Sequence, residues 1–268
     1  MEEVIGYIGA FVIGLILGLM GGGGSILTVP LLVYILLIDP VIATAYSLFI
    51  VGITSAFGSV QNHLKNNIAY KTGLLIAIPS FISVYLTRKF IVPALPDIII
   101  ELGGLIIYKD AFIMGLFATM MLLASLSMLR RKTEQKDKLK KTSYILIVPY
   151  VLFIGMLIGI VGAGGGFLLI PTLVFFGGLP MRKAVGTSLF IIAINSLMGF
   201  VGDIQNIIVD WGFLLPFSII SIFGIFAGIY LNKYINENQL KRGFGWFILV
   251  TALFILTEEI IGFKELFR

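Results

Sequence analysis

Cysteine is absent from the 268 residues and histidine occurs once. Without cysteine there is no disulfide, no thiolate metal site and no cysteine nucleophile, although the compartment stays open. With one histidine, and with neither an H-E-x-x-H nor a G-x-S-x-G sequence, the familiar intramembrane hydrolase sites cannot be assembled. A Walker sequence is also missing. Gly162 and Gly164 begin a G-x-G-x-x-G pattern, but Phe167 stands where its third glycine belongs, so nucleotide binding and an ATP-driven pump on this chain are disfavoured. Charge is scarce too, at 12% of residues against about 25% in soluble domains. The sequence calls for no enzyme chemistry, no cofactor and no metal ion.

What is present is apolar surface: 59% hydrophobic residues and a mean hydropathy of +1.07. A soluble fold of this length cannot hide that much. Apolar runs extend over Val4–Ile38, Val41–Gln61, Thr72–Leu86, Ala111–Leu129, Tyr144–Gly178, Ala184–Gly202, Phe213–Leu231 and Gly243–Leu256. Most match the roughly 20 residues a helix needs to cross a bilayer. The first run carries Glu2 and Glu3 and lacks a basic leader, which predicts an uncleaved segment. The net charge of +5 comes from short loops rather than one patch, so a positive-inside bias explains it better than nucleic-acid binding. The strongly polar stretch from Arg130 to Lys141 reads as a basic cytoplasmic linker. It divides the chain into a first membrane repeat (1–129), a linker (130–143) and a second membrane repeat (144–268).

Displacing the chain on itself by about 141 residues superimposes its halves. GLILGLMGGGGSILTVPLLV from Gly14 falls on GMLIGIVGAGGGFLLIPTLV from Gly155, and Ser47-Leu48-Phe49 falls on Ser188-Leu189-Phe190. Ser55 meets Ser196 and Gly58 meets Gly199. An internal duplication follows.

The first run of each half is too long for one crossing, since Val4–Ile38 as a single helix would reach roughly 50 Å. Glycine costs a helix about 1 kcal/mol relative to alanine, so the Gly21–Gly24 cluster predicts a break and a hairpin of two half-helices. A hairpin in each half, followed by three transmembrane helices, makes the halves inverted repeats with both termini outside. That threading puts Arg182, Lys183, Lys233, Lys241 and Arg242 inside with the linker, and Asp203 and Asp210 outside. It places Arg88 and Lys89 in an outer loop, against the bias. The fold class is therefore an all-α integral membrane protein, of the plan that recurs in secondary transporters.

Two sets of residues are candidates for solute contact. The first is Gly23, Gly24 and Ser25 with Gly164, Gly165 and Gly166, where helix N-termini would aim free N–H groups at an anion; the bland reading is close helix packing. The second is a polar stripe of Ser47, Thr54 and Gly58, repeated as Ser188, Asn195 and Gly199, with Ser55, Thr187 and Ser196 beside it. Its bland reading is hydrogen bonding between helices. No charged residue falls at the predicted midplane, so coupling groups are sought near helix ends: His63, Asp203, Glu258 and Glu259, by position only. His63, beside Lys65, reads as an ordinary interfacial residue.

The twin G-x-x-G-x-G-G-G-x-x-x-x-P-x-L blocks, from Gly18 and Gly159, and A-V-G-T-S-L at Ala184 to Leu189 resemble the TauE/SafE family of membrane transporters. The likeness covers nearly the whole chain. The first block has Ser25 where the second has Gly166, and Ala43 to Leu48 reads ATAYSL. The resemblance implies transport of sulfite, a sulfonate or a similar small sulfur-containing anion across a prokaryotic plasma membrane or an organelle membrane. A channel-like pathway for another small anion and a non-transporting scaffold are the alternatives.

Overall fold

The computed structural model describes residues 2–102, 105–129, 144–175 and 177–266; the basic linker lies outside the described residues. Helix α1 (Glu2–Met20) stops at the glycines. Gly21 takes φ +66°, where a Cβ would be strained, and Gly21–Gly24 turns as a short 3-10 segment before α2 (Ser25–Pro30) and a π turn over Leu31–Ile35. The chain then runs back along α1. Gly24 abuts Leu17, Gly9 abuts Leu31 and Gly6 abuts Leu36, the reverse order expected of a closed hairpin. In the second half α7 (Tyr144–Val161) ends at Gly162, and α8 (Gly166–Phe175) restarts after a turn in which Gly162, Gly164 and Gly165 all have positive φ. Neither cluster lies within a continuous helix.

The long helices follow. α3 (Pro40–Leu64) starts where the Asp39 carboxylate accepts from the amides of Val41 and Ile42, with Pro40 in the first turn where its missing N–H costs nothing. α4 (Tyr70–Leu86) continues through a π turn at Thr87–Ile91 into α5 (Val92–Ala94). α6 (Lys109–Leu129) closes the first half. α9 (Met181–Asp203), α10 (Trp211–Leu231, capped by Asp210) and α11 (Glu237–Leu266) complete the second. Five segments among the described residues are long and apolar enough to span a membrane: Pro40–Leu64, Tyr70–Ala94, Lys109–Leu126, Met181–Asp203 and Trp211–Tyr234. Leu215, Ile219 and Phe223 form an exposed apolar stripe at four-residue spacing on α10, a face suited to lipid rather than water.

The expected all-α membrane class fits a chain that is mostly helical. Added to it among the described residues is one short strand pair, β1 (Ile98–Leu102) and β2 (Leu105–Tyr108), an antiparallel hairpin before α6. Runs rich in isoleucine on either side of Gly103-Gly104 favour that pairing, and a glycine pair between two such runs is a hairpin signal in the sequence.

The halves exchange partners. α1 packs on α10 and α7 on α4, α3 lies against α9 at the centre, and α6 pairs with α11. The sequence offset reappears in the contacts: Gly14 on Ser221 maps to Gly155 on Ser80, Gly18 on Ile225 to Gly159 on Val84, and Gly58 on Leu189 and Ile225 to Gly199 on Leu48 and Val84. Small residues at these positions let helix backbones meet, which is how helices associate without a hydrophobic drive.

Candidate functional site

The two glycine turns meet at the centre of this arrangement. A Cβ on Gly22 would collide with the Cα of Gly166, and one on Gly166 with the backbone of Gly22. α9 passes over both turns: Ser188 Oγ would stand 2.9 Å from a Cβ on Gly21, and Ser196 Oγ 3.0 Å from one on Gly164. Gly23 sits within the first turn. Gly24 and Gly165 instead face their own hairpins, against Leu17 and Ile158, and Ser25 donates to the Gly22 carbonyl at 2.6 Å.

Hydroxyls in a helix commonly donate to a carbonyl one turn back. Ser188 does so to Val185 at 2.8 Å, and Ser80 to Ala77 at 3.1 Å. Ser47, Thr54, Ser55 and Ser196 do not: their oxygens are buried without a hydrogen-bond partner, as is the Asn195 Nδ2. The Ser80 hydroxyl has one proton to share between the Ala77 carbonyl and the Asn195 Oδ1, which lies 2.9 Å away, and the Asn195 Nδ2 has no partner. Each buried group left unsatisfied costs about 1 to 3 kcal/mol, so the cluster is dear unless something polar occupies it. Thr187 stands apart, its hydroxyl accepting from the Ala69 amide at 3.0 Å and tying α9 to the start of α4.

The structure adds a residue that the sequence places in a loop. Because the helix runs on past Leu86, Arg88 is fully buried. Its Nη1 donates to Asp203 Oδ2 and to Thr44 Oγ1, each at 3.1 Å, joining the end of α4 to the end of α9 and the start of α3. Its Nη2 and Nε have no partner, and Nη2 lies against Gly162 in the second glycine turn. The signal in the sequence is that Phe90-Ile91-Val92 resumes the apolar run after Arg88-Lys89.

A cavity of about 150 Å³ opens elsewhere, lined by Lys65, Arg182 and Lys233 at an exposed rim and by Gly18, Asn62 and Val185 at a buried floor. None of the described residues that line it carries a carboxylate. Burial and then the Lys233 charge hold the Lys65 ammonium below the ordinary lysine range. His63 shares a 2.7 Å hydrogen bond with the Tyr70 hydroxyl, and Glu258 is exposed on α11; the Glu259 side chain lies outside the described residues. Among the described residues no group of His, Asp and Glu is placed to hold a metal ion.

Comparison with known proteins gives this architecture relatives. A probable membrane transporter protein of Xylella fastidiosa is 27% identical over 256 residues, 91% of each chain. Another of Bacillus subtilis, YdhB, is 27% identical over 261 residues, 96% of this chain and 97% of that one. One of Methanocaldococcus jannaschii, MJ0441, is 33% identical over 122 residues, 42% of this chain and 46% of its own. No solved structure matches. The family model for the sulfite exporter TauE/SafE matches residues 7–255, and with its candidate spans the chain is a multi-pass integral membrane protein of the TauE/SafE membrane transporter family.

Proposed function

We propose that the chain is a secondary transporter of a small sulfur-containing anion, sulfite or a sulfonate, bound where the two glycine turns meet. The observation that carries the reading is the cluster of buried, unpartnered donors on α3 and α9, two helices that lie side by side at the glycine crossing. An anion in a membrane interior needs compensation, and hydroxyls, an amide and helix N-termini supply it as partial charges. Ser196 beside Gly164 and Ser188 beside Gly21 give each turn a side-chain oxygen. The test is flux in proteoliposomes across a panel of small anions, with and without a proton or sodium gradient. Sulfite or a sulfonate is expected to move; protein that moves cations or neutral solutes but no anion contradicts the reading. Asn195→Ala is expected to weaken anion binding by about 1 to 3 kcal/mol through one lost hydrogen bond. A folded variant with unchanged transport removes Asn195 from the site.

The same reading makes the halves inverted repeats. A hairpin that returns to its own side, followed by three crossings, leaves the second half starting from the opposite face. The exchanged contacts of α1 with α10 and α7 with α4 support a two-fold relation between the halves. Labelling is simple in a chain without cysteine. With the linker cytoplasmic, a cysteine beside Lys183 is expected to be shielded from an impermeant outside reagent and one at Ile208, 95% exposed, to react. The reverse pattern would overturn the threading.

A further inference from the structure

The basic cavity and the buried ion pair occupy corresponding places in the two repeats. The offset that aligns the halves carries Gly18, Asn62, Val185 and Ile229, all lining the cavity, onto Gly159, Asp203, Thr44 and Arg88. Three of those counterparts form a closed cluster, in which Arg88 bonds Asp203 and Thr44, and the fourth, Gly159, packs on Thr87, the chain neighbour of Arg88. At one end the position holds open space. At the other it holds a guanidinium and a carboxylate, 0% and 6% exposed as side chains. Two repeats with equivalent backbones thus present one open and one filled mouth on either side of the glycine crossing.

We propose that the cavity under Lys65, Arg182 and Lys233 is an anion-loading site at the open end of the transport path, and that the Arg88–Asp203 pair seals the opposite end. This deepens the reading of the chain as an anion transporter and rests on it. The open mouth suits a small oxyanion in three respects. Its rim gathers Lys65, Arg182 and Lys233 around one opening, where burial first and the Lys233 charge second disfavour the charged form of Lys65. Asn62, Asn67 and Asn232 add amides around it. None of the described residues that line it is acidic. At the sealed end the same role falls to Arg88, whose Nη1 is taken by Asp203 and Thr44 while Nε and Nη2 have no partner and Nη2 lies against Gly162. An anion arriving from the centre would meet that free edge, and a planar guanidinium binds an oxyanion through two parallel N–H groups. Opening this end then has Arg88 follow the anion on its free edge and leave the carboxylate on Nη1, so passage of the solute and release of the seal become one event.

The structure fixes a paired test on the otherwise cysteine-free chain. Val185→Cys and Thr44→Cys stand at equivalent positions, one on the cavity floor and one in the seal. Val185→Cys is expected to react with an impermeant thiol reagent at least about tenfold faster than Thr44→Cys, because the alternative state of a two-state protein is commonly populated at about 10% or below. A second arm leaves the seal untouched. Lys65→Gln with Lys233→Gln is expected to raise the KM for radiolabelled sulfite loaded from the cavity side about three- to tenfold, with maximal flux kept and the difference shrinking as salt screens the rim. Equal or reversed labelling overturns the assignment of open and sealed ends, and an unchanged KM overturns the loading site. Should Thr44→Cys fail to fold, the KM arm still decides the loading site, and Val185→Cys labelling from one face only still decides which end is open. Wild-type protein that moves no anion defeats the transport reading itself, whereas the labelling pattern reads the two ends whatever the solute.

Discussion

Replacing Asp203 with alanine is expected to destabilise the protein by about 3 to 5 kcal/mol, because it strands a guanidinium that has no access to water. Arg88 is 0% exposed, and its remaining bond would run from Nη1 to the uncharged hydroxyl of Thr44. Screening by solvent is absent, so the usual discount on a surface ion pair does not apply. Unfolding in detergent followed by tryptophan fluorescence suits the measurement. Trp211 lies 6.1 Å from the ring of Phe200, which is one turn of α9 before Asp203, and 5.5 Å from that of Phe49 on α3. Exchanging both partners for apolar residues of similar volume, Arg88→Met with Asp203→Leu, is expected to return most of that stability, since neither charge is then left to bury. Anion flux is not expected to return with it if the pair must open. A loss below about 1 kcal/mol in the single variant would mean that water reaches Arg88, the behaviour of an exposed pair.

Arg88 also shows where a sequence reading falls short. Its burial depends on Asp203, which is 115 residues away and in the other repeat, so neither charge declares its partner locally. Each looks like an ordinary helix-end charge until the helices are packed. The duplication behaves differently, because it is written in the residues themselves: Gly14 and Gly155 align by residue type alone, and their contacts with Ser221 and Ser80 repeat the alignment in space. The break in the first long run is legible for a similar reason, since consecutive glycines oppose a helix wherever they occur. The convergence of the two turns follows from duplication. Thr187 is a weaker inference. It stands beside the polar stripe, but periodicity cannot tell a hydroxyl that waits for a solute from one that holds the Ala69 amide. The β-hairpin has its signal in the isoleucines around Gly103-Gly104, which a reading of that segment by charge alone passes over.

Gly166→Ala is expected to cause the largest single-site loss of folded protein. The added methyl would enter the backbone of Gly22 on the facing turn, and Gly22→Ala would enter Gly166 in return. Overpacking a core typically costs about 1 to 3 kcal/mol because side chains rotate away from the intruder. Here the obstructing atoms are main chain, which has no rotamer to change, so both hairpins would have to separate. The expected cost therefore exceeds that range, and the yield of monodisperse protein should fall sharply for either variant. Gly115→Ala supplies the control, since nothing lies within 4 Å of its Cβ position on α6. An open helical site should gain about 0.5 to 1 kcal/mol from the same methyl by reducing the freedom of the unfolded chain. If Gly22→Ala and Gly166→Ala fold as well as Gly115→Ala, the turns do not touch, and the central donors of α3 and α9 lose the crossing that brings them to a shared solute.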